Sequence, residues 1–159
     1  MEEQSTHLGR HVEKLRTLIA RGNWPICMVC PIPPSLNRMQ RAVNSRIVDS
    51  SEYREYKASF ARQVTDKNPH LITLPDDVYV TSGIYLVYMV FYFDRILKKT
   101  KGGGPSPFMK LDVDNRVKPL LDSIKDFTGI DDANFFTSIA QKECDSEDAR
   151  VEVEIWRVQ

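Results

Sequence analysis

Residues 110–132 read KLDVDNRVKPLLDSIKDFTGIDD, and several of them could do chemistry together. Asp112 and Asp114 stand two apart ahead of an apolar-periodic run. Lys118 stands near the start of that run, and Asp131 and Asp132 stand side by side after it. In extended backbone, residues i and i+2 point to one side. Asp112 and Asp114 can then aim two carboxylates at one point while Val113 faces the core. Carboxylate oxygens suit Mg²⁺ or Mn²⁺, which keep waters and take phosphate oxygens as further ligands. A helix beginning just after them adds a positive end, which favours a phosphate and keeps the carboxylates ionised. Lys118 is then placed to neutralise charge on a pentacovalent phosphate as it forms. These are the parts of metal-assisted phosphodiester hydrolysis. A calcium-loop reading fails: counted from Asp112, the sixth position is Val117 rather than Gly and the twelfth is Ser123 rather than Glu. Taken alone, Asp131 and Asp132 read equally well as solvated turn residues.

The elements that must hold these groups can be read around them. Val117, Leu120, Leu121 and Ile124 follow i, i+3, i+4, i+7 spacing. They predict a helix from Arg116 or Val117, after both aspartates, to about Phe127. Gly129 is its expected C-terminal cap, and Pro119 is tolerated if it falls in the first turn. Such a helix of about 11 residues is about 16 Å long. Asp132 therefore follows the end remote from Asp112, and residues 129–131 can loop back by about 10 Å.

Elsewhere, residues 6–20 read as a helix with Leu8, Val12, Leu15 and Ile19 on one stripe. PICMVCP reads as a short buried strand. PIPPSLNRMQR reads as a turn-rich segment whose prolines forbid a regular central strand. Within RIVDSSEYREYKASFARQV a helix carries Tyr53, Tyr56, Phe60 and Val64 inward, with Asp49 as its expected N-cap and Glu52 three residues on. Residues 78–93 are β-branched and aromatic on both alternating faces. They predict a long strand, bent at Gly83 and covered on both sides. A glycine-rich basic loop follows. FFTSIAQKE and ARVEVEIWRV read as antiparallel strands, the second with Val151, Val153 and Ile155 on one face and Glu152 and Glu154 on the other. The expectation is an α+β fold: a single domain (residues 23–159) with a mixed or antiparallel sheet and two to three helices, preceded by an N-terminal helical extension (1–22).

The chain has 159 residues with 22 basic and 22 acidic side chains. Neutrality argues against a nucleic-acid partner until its distribution is read. Residues 95–110 hold Arg95, Lys98, Lys99, Lys101 and Lys110 and no acid. Segregated charge can present a basic surface to phosphate. No apolar run is long enough for a transmembrane helix, and the polar, acidic start is unlike a secretory signal, so cytoplasmic residence is expected. Cys27, Cys30 and Cys144 suggest no disulfide framework. Zinc at Cys27 and Cys30 lacks further ligands at suitable spacing.

The block LDVDNRVKPLLDSIKDFTGIDD closely resembles the signature of the RusA family of Holliday junction resolvases. The features are a D-x-D-N, a lysine four residues after the second Asp, an apolar helix carrying Asp122, Ser123 and Ile124, then a paired acid. Pro33, Ser35 and Asn37 resemble the family's P-x-S-x-N segment, and RVEVEIW its final strand. The resemblance runs from about Ile26 to Trp156. It implies a metal-dependent endodeoxyribonuclease, using Mg²⁺ (or Mn²⁺), that works as a homodimer and nicks opposed strands of a four-way DNA junction. It maps the essential aspartates to Asp112, Asp114 and Asp132, the second acid of the pair, and the catalytic lysine to Lys118. Whether Asp132 serves its own or the partner subunit's site is left open by the helix length. The chain departs from the family in its N-terminal extension, its glycine-rich basic loop, and Leu111 where at least one member carries an aromatic. The same residues admit a nuclease for flaps or forks, or a junction-binding protein without cleavage.

Arg38 and Arg41 are candidate phosphate contacts beside the site. Lys98, Lys99, Lys101 and Lys110 are candidates on the loop leading into it, and Lys142 is one on a later strand.

Overall fold

Pro25 and Pro31 bracket five residues that can pair as a strand. In the computed structural model, which describes residues 25–43, 46–69, 83–96 and 112–158, they do so. Strand β1 (Ile26–Cys30) turns Ile26, Met28 and Cys30 inward and Cys27 outward. Then come a one-turn helix α1 (Leu36–Met39), an antiparallel hairpin β2 (Gln40–Val43) and β3 (Arg46–Asp49), and helix α2 (Ser51–Lys67). β4 (Tyr85–Phe93) leads to α3 (Asp114–Thr128), a 3-10 turn (Asp132–Asn134), β5 (Phe135–Cys144) and β6 (Arg150–Arg157). The main sheet has four strands in the order β1-β6-β4-β5. The fold is a small α+β domain with a mixed sheet, as the sequence predicts.

β4 lies at the centre of its sheet and has no charged residue, as a strand covered on both faces requires. Tyr85, Val87, Met89, Phe91 and Phe93 join the main core with Val151, Val153 and Ile155 of β6, and Leu86 packs with Trp156 on the other face. α2 and α3 close the main core with Tyr53, Tyr56, Phe60 and Val64 from the first and Leu120 and Ile124 from the second. Asn68, buried at the end of α2, fastens that helix to the sheet edge. Its side chain accepts from Val29 N (2.8 Å) and donates to Val29 O (2.9 Å). It thereby satisfies the backbone groups that an edge strand leaves open.

Four expectations are corrected. β5 is parallel to β4, not antiparallel, because the α3 crossover returns the chain to the end where β4 began. The hairpin β2–β3 and helix α1 arise where only turns were expected, because β2 starts beyond the last proline of the segment. The N-cap of α2 is Ser50 rather than Asp49. Ser50 Oγ accepts from Tyr53 N at 3.1 Å, while Asp49 closes β3 and pairs with Lys57 at 2.6 Å. Finally, α3 begins at Asp114, so Pro119 lies in its second turn and deprives the Asn115 carbonyl of its helical partner. The expected helix at 6–20 and the first part of the strand expected at 78–93 lie outside the described residues.

Candidate active site

α3 is the spine of the site, and its start differs from the expected geometry. Val113 is helical (φ −64°, ψ −42°), and Asp114 is the first residue of the helix. Asp112 and Asp114 are therefore not displayed from extended backbone, and helical residues two apart do not face each other. Asn115 Nδ2 reaches Asp112 Oδ2 at 3.4 Å. Both carboxylates are exposed, and among the described residues neither has an ion-pair partner.

Arg116 fixes this end of the helix. Its guanidinium donates to the Pro33 carbonyl and lies 5.7 Å from the centre of the Phe93 ring. Burial, and then the charge of Arg38, lower its pKa. A guanidinium stays charged even so. The Pro33-Ser35-Asn37 segment is thus tied to the start of α3, with Arg38 beside it. Nothing in its sequence context marks Arg116, because only tertiary packing reveals an arginine turned inward.

One turn further on, Lys118 leans along the helix toward its C-terminal end. Its Nζ is 3.2 Å from Asp122 Oδ1 and 3.8 Å from Asp132 Oδ2. The hydrogen bond to Asp122, then the charges of Asp122 and Asp132, raise the Lys118 pKa, so it carries its proton at neutral pH. Asp132 therefore reaches Lys118 of its own chain. Residues 129–131 turn back at Gly129, whose left-handed backbone (φ 77°) and N–H to Lys125 O (2.8 Å) end the helix as predicted. In the sequence Asp122 stands out only as part of the family-like stretch Asp122, Ser123 and Ile124. Its i, i+4 spacing from Lys118 was the available signal.

The two acids of the pair are divided between roles. Asp131 bonds Lys125 at 2.6 Å and accepts from Ala133 N at 3.0 Å, capping the 3-10 turn. The Lys125 bond, then the Ala133 N–H, hold its carboxyl well below the usual carboxylate range. Asn134 Nδ2 ties the same turn to Gly83 O at 2.8 Å. Asp131 is thus occupied in shaping the turn that delivers Asp132.

Carboxylates at Asp112, Asp114 and Asp132 have the donor chemistry for Mg²⁺. Among the described residues, however, no three acidic, histidine or cysteine side chains are gathered closely enough to enclose a metal ion. The arrangement fits a Mg²⁺ taken by one or two carboxylates together with phosphate oxygens and water, not a closed protein cage.

The remaining candidates are dispersed. Lys142 on β5 is exposed and registered with Phe91, toward the end of the sheet where Arg116 covers Phe93. Arg38 is exposed at the end of α1. The Arg41 side chain and Lys98, Lys99, Lys101 and Lys110 lie outside the described residues. Cys27 and Cys30 take opposite faces of β1, and burial pushes the Cys30 thiol up to about 12, so they form no joint site.

The family model for endodeoxyribonuclease RusA matches residues 31–156, most of the chain. No curated protein matches it. Among the described residues, no helix is long and apolar enough to cross a membrane.

Proposed function

We propose that this chain, which belongs to the endodeoxyribonuclease RusA family, resolves four-way DNA junctions as a Mg²⁺-dependent homodimer that makes paired nicks. The observation that carries the reading is the placement of Lys118 between Asp122 and Asp132, one turn past Asp114 on the same helix. A lysine in this setting stays charged and can offset the charge that builds on a phosphate under attack.

One or both of Asp112 and Asp114 would hold the metal together with phosphate oxygens and water, while Asp132 stands beside Lys118. When bound there, Mg²⁺ supplies charge neutralisation and a water activated for attack. The side chains do the rest. The exposed carboxylates at the start of α3 lie by the positive end of that helix, which draws a phosphate toward them. Lys118 then meets the scissile phosphate, and Asp132 is placed to orient the attacking water. Arg38, Lys142 and the basic loop of Lys98, Lys99, Lys101 and Lys110 would follow the phosphates of the arms. Two such sites, one per subunit, would account for paired nicks. Mn²⁺ suits the same ligands.

The test is cleavage in Mg²⁺ of a synthetic four-way junction against a linear duplex of the same arm sequences. Preferential cutting of the junction is expected. Equal rates on the two substrates contradict junction resolution, and faster cutting of flaps or forks moves the assignment to other branched DNA.

A further inference from the structure

Phe136 is not accounted for by the fold. It is 71% exposed, while its neighbour Phe135 turns inward to within 6.2 Å of the Tyr85 ring. The pairing of β4 with β5 steps at this point: Tyr85 is opposite Phe135 and Leu86 is opposite Thr137, so Phe136 has no partner residue on β4. A bulge of this kind re-aims a side chain and recurs beside active sites. The turn beneath it is fixed by Asn134 on Gly83 O and by Asp131 on Ala133 N. Phe136 is only four positions after Asp132, at most about 14 Å of chain. The ring is therefore within reach of the nucleotides that flank a phosphate held at Lys118.

We propose that Phe136 stacks on an unpaired or unstacked base of the strand being cut; the inference rests on the nuclease reading above. A base needs one aromatic ring and no more, because every base has a π-face. A protein partner needs a contiguous apolar centre, and among the described residues the chain neighbours of Phe136 do not supply one. Asp132, Ala133 and Ser138 are exposed and polar or small, and among the described residues the other exposed large apolar side chains, Leu36 and Val48, lie on α1 and β3. Stacking on a side chain requires a base that has left its own stack, so the substrate class is DNA whose pairing is interrupted next to the cut.

The experiment is titration of a four-way junction in EDTA with wild type, Phe136→Ala and Phe136→Trp over a salt series, together with light scattering for subunit number. The account expects about tenfold weaker binding for Phe136→Ala. The salt slope should be unchanged, since stacking releases no counterion. Phe136→Trp should bind as wild type does, with added indole emission that the junction quenches. Equal affinity of Phe136→Ala and wild type overturns the stacking role while leaving the nuclease reading standing. An altered subunit number in Phe136→Ala also overturns it, assigning the ring to a protein interface. A wild type that neither binds nor cuts the junction removes both.

Discussion

Lys118 Nζ lies 3.8 Å from Asp132 Oδ2 although fourteen positions and most of a helix separate them in sequence. The lysine leans toward Asp122 and the chain folds back after Gly129, so the gap is closed from both sides. Lys118 and Asp132 of one chain thus stand side by side, which favours a site completed within the subunit. Mixing Asp112→Asn subunits with Asp132→Asn subunits should therefore restore no junction cleavage. Each dimer would then carry two centres with one defect each. Recovery of one active centre in the mixture would show that Asp132 acts across the dimer instead.

Asp122 raises the pKa of Lys118. Its hydrogen bond is the largest cause of the raised lysine pKa, so Asp122→Asn should lower it. A protonated lysine would then be lost at lower pH, and the alkaline limb of the pH–rate profile should move down. Stability should change by no more than about 0.5 kcal/mol, because the pair is solvent-exposed. A pH profile identical to wild type would separate Asp122 from the chemistry.

Asp131 and Asp132 should give opposite phenotypes. Asp132→Asn should abolish nicking with the fold intact. Asp131→Asn should keep nicking and lower Tm at neutral pH. The sign follows from the depressed Asp131 carboxyl. Its contribution is fully present above the unfolded value of about 4 and is lost as pH falls toward the folded one. The Tm gap between wild type and Asp131→Asn should accordingly narrow as pH is lowered below about 4, as read by thermal melts at each pH.

Asn68 holds both backbone groups of Val29, so Asn68→Ala should leave one part-buried donor and one part-buried acceptor unpaired. At about 1–3 kcal/mol for each unsatisfied group, a loss of about 3 kcal/mol is expected from denaturant midpoints at constant m. A loss below about 1 kcal/mol would mean water replaces the amide.

What the sequence made legible was local. The stripe of Val117, Leu120, Leu121 and Ile124, the Gly129 cap and the alternation of Val151, Val153 and Ile155 each follow from one element's own period. The parallel setting of β5 depends on which strand it meets after the crossover, and its alternation is the same in either direction. Ser50 displaced Asp49 as a cap because the hairpin, unseen in a proline-rich stretch, had already enlisted Asp49. At the site, Asp112, Asp114, Lys118 and the acid pair could be picked out by type and spacing. The division of labour between Asp131 and Asp132 could not, since it depends on where Lys125 and Lys118 reach. Nor could Arg116 or Phe136, whose roles arise from packing and from a one-residue step in a ladder.

The most direct test of the account is to map the nicks made in a four-way junction by wild type and by Asp114→Asn in Mg²⁺, with binding measured alongside. The account predicts paired nicks at symmetric positions for wild type, and their loss in Asp114→Asn with junction affinity retained. Nicking that persists in Asp114→Asn, or wild-type cuts scattered without symmetry, would contradict it.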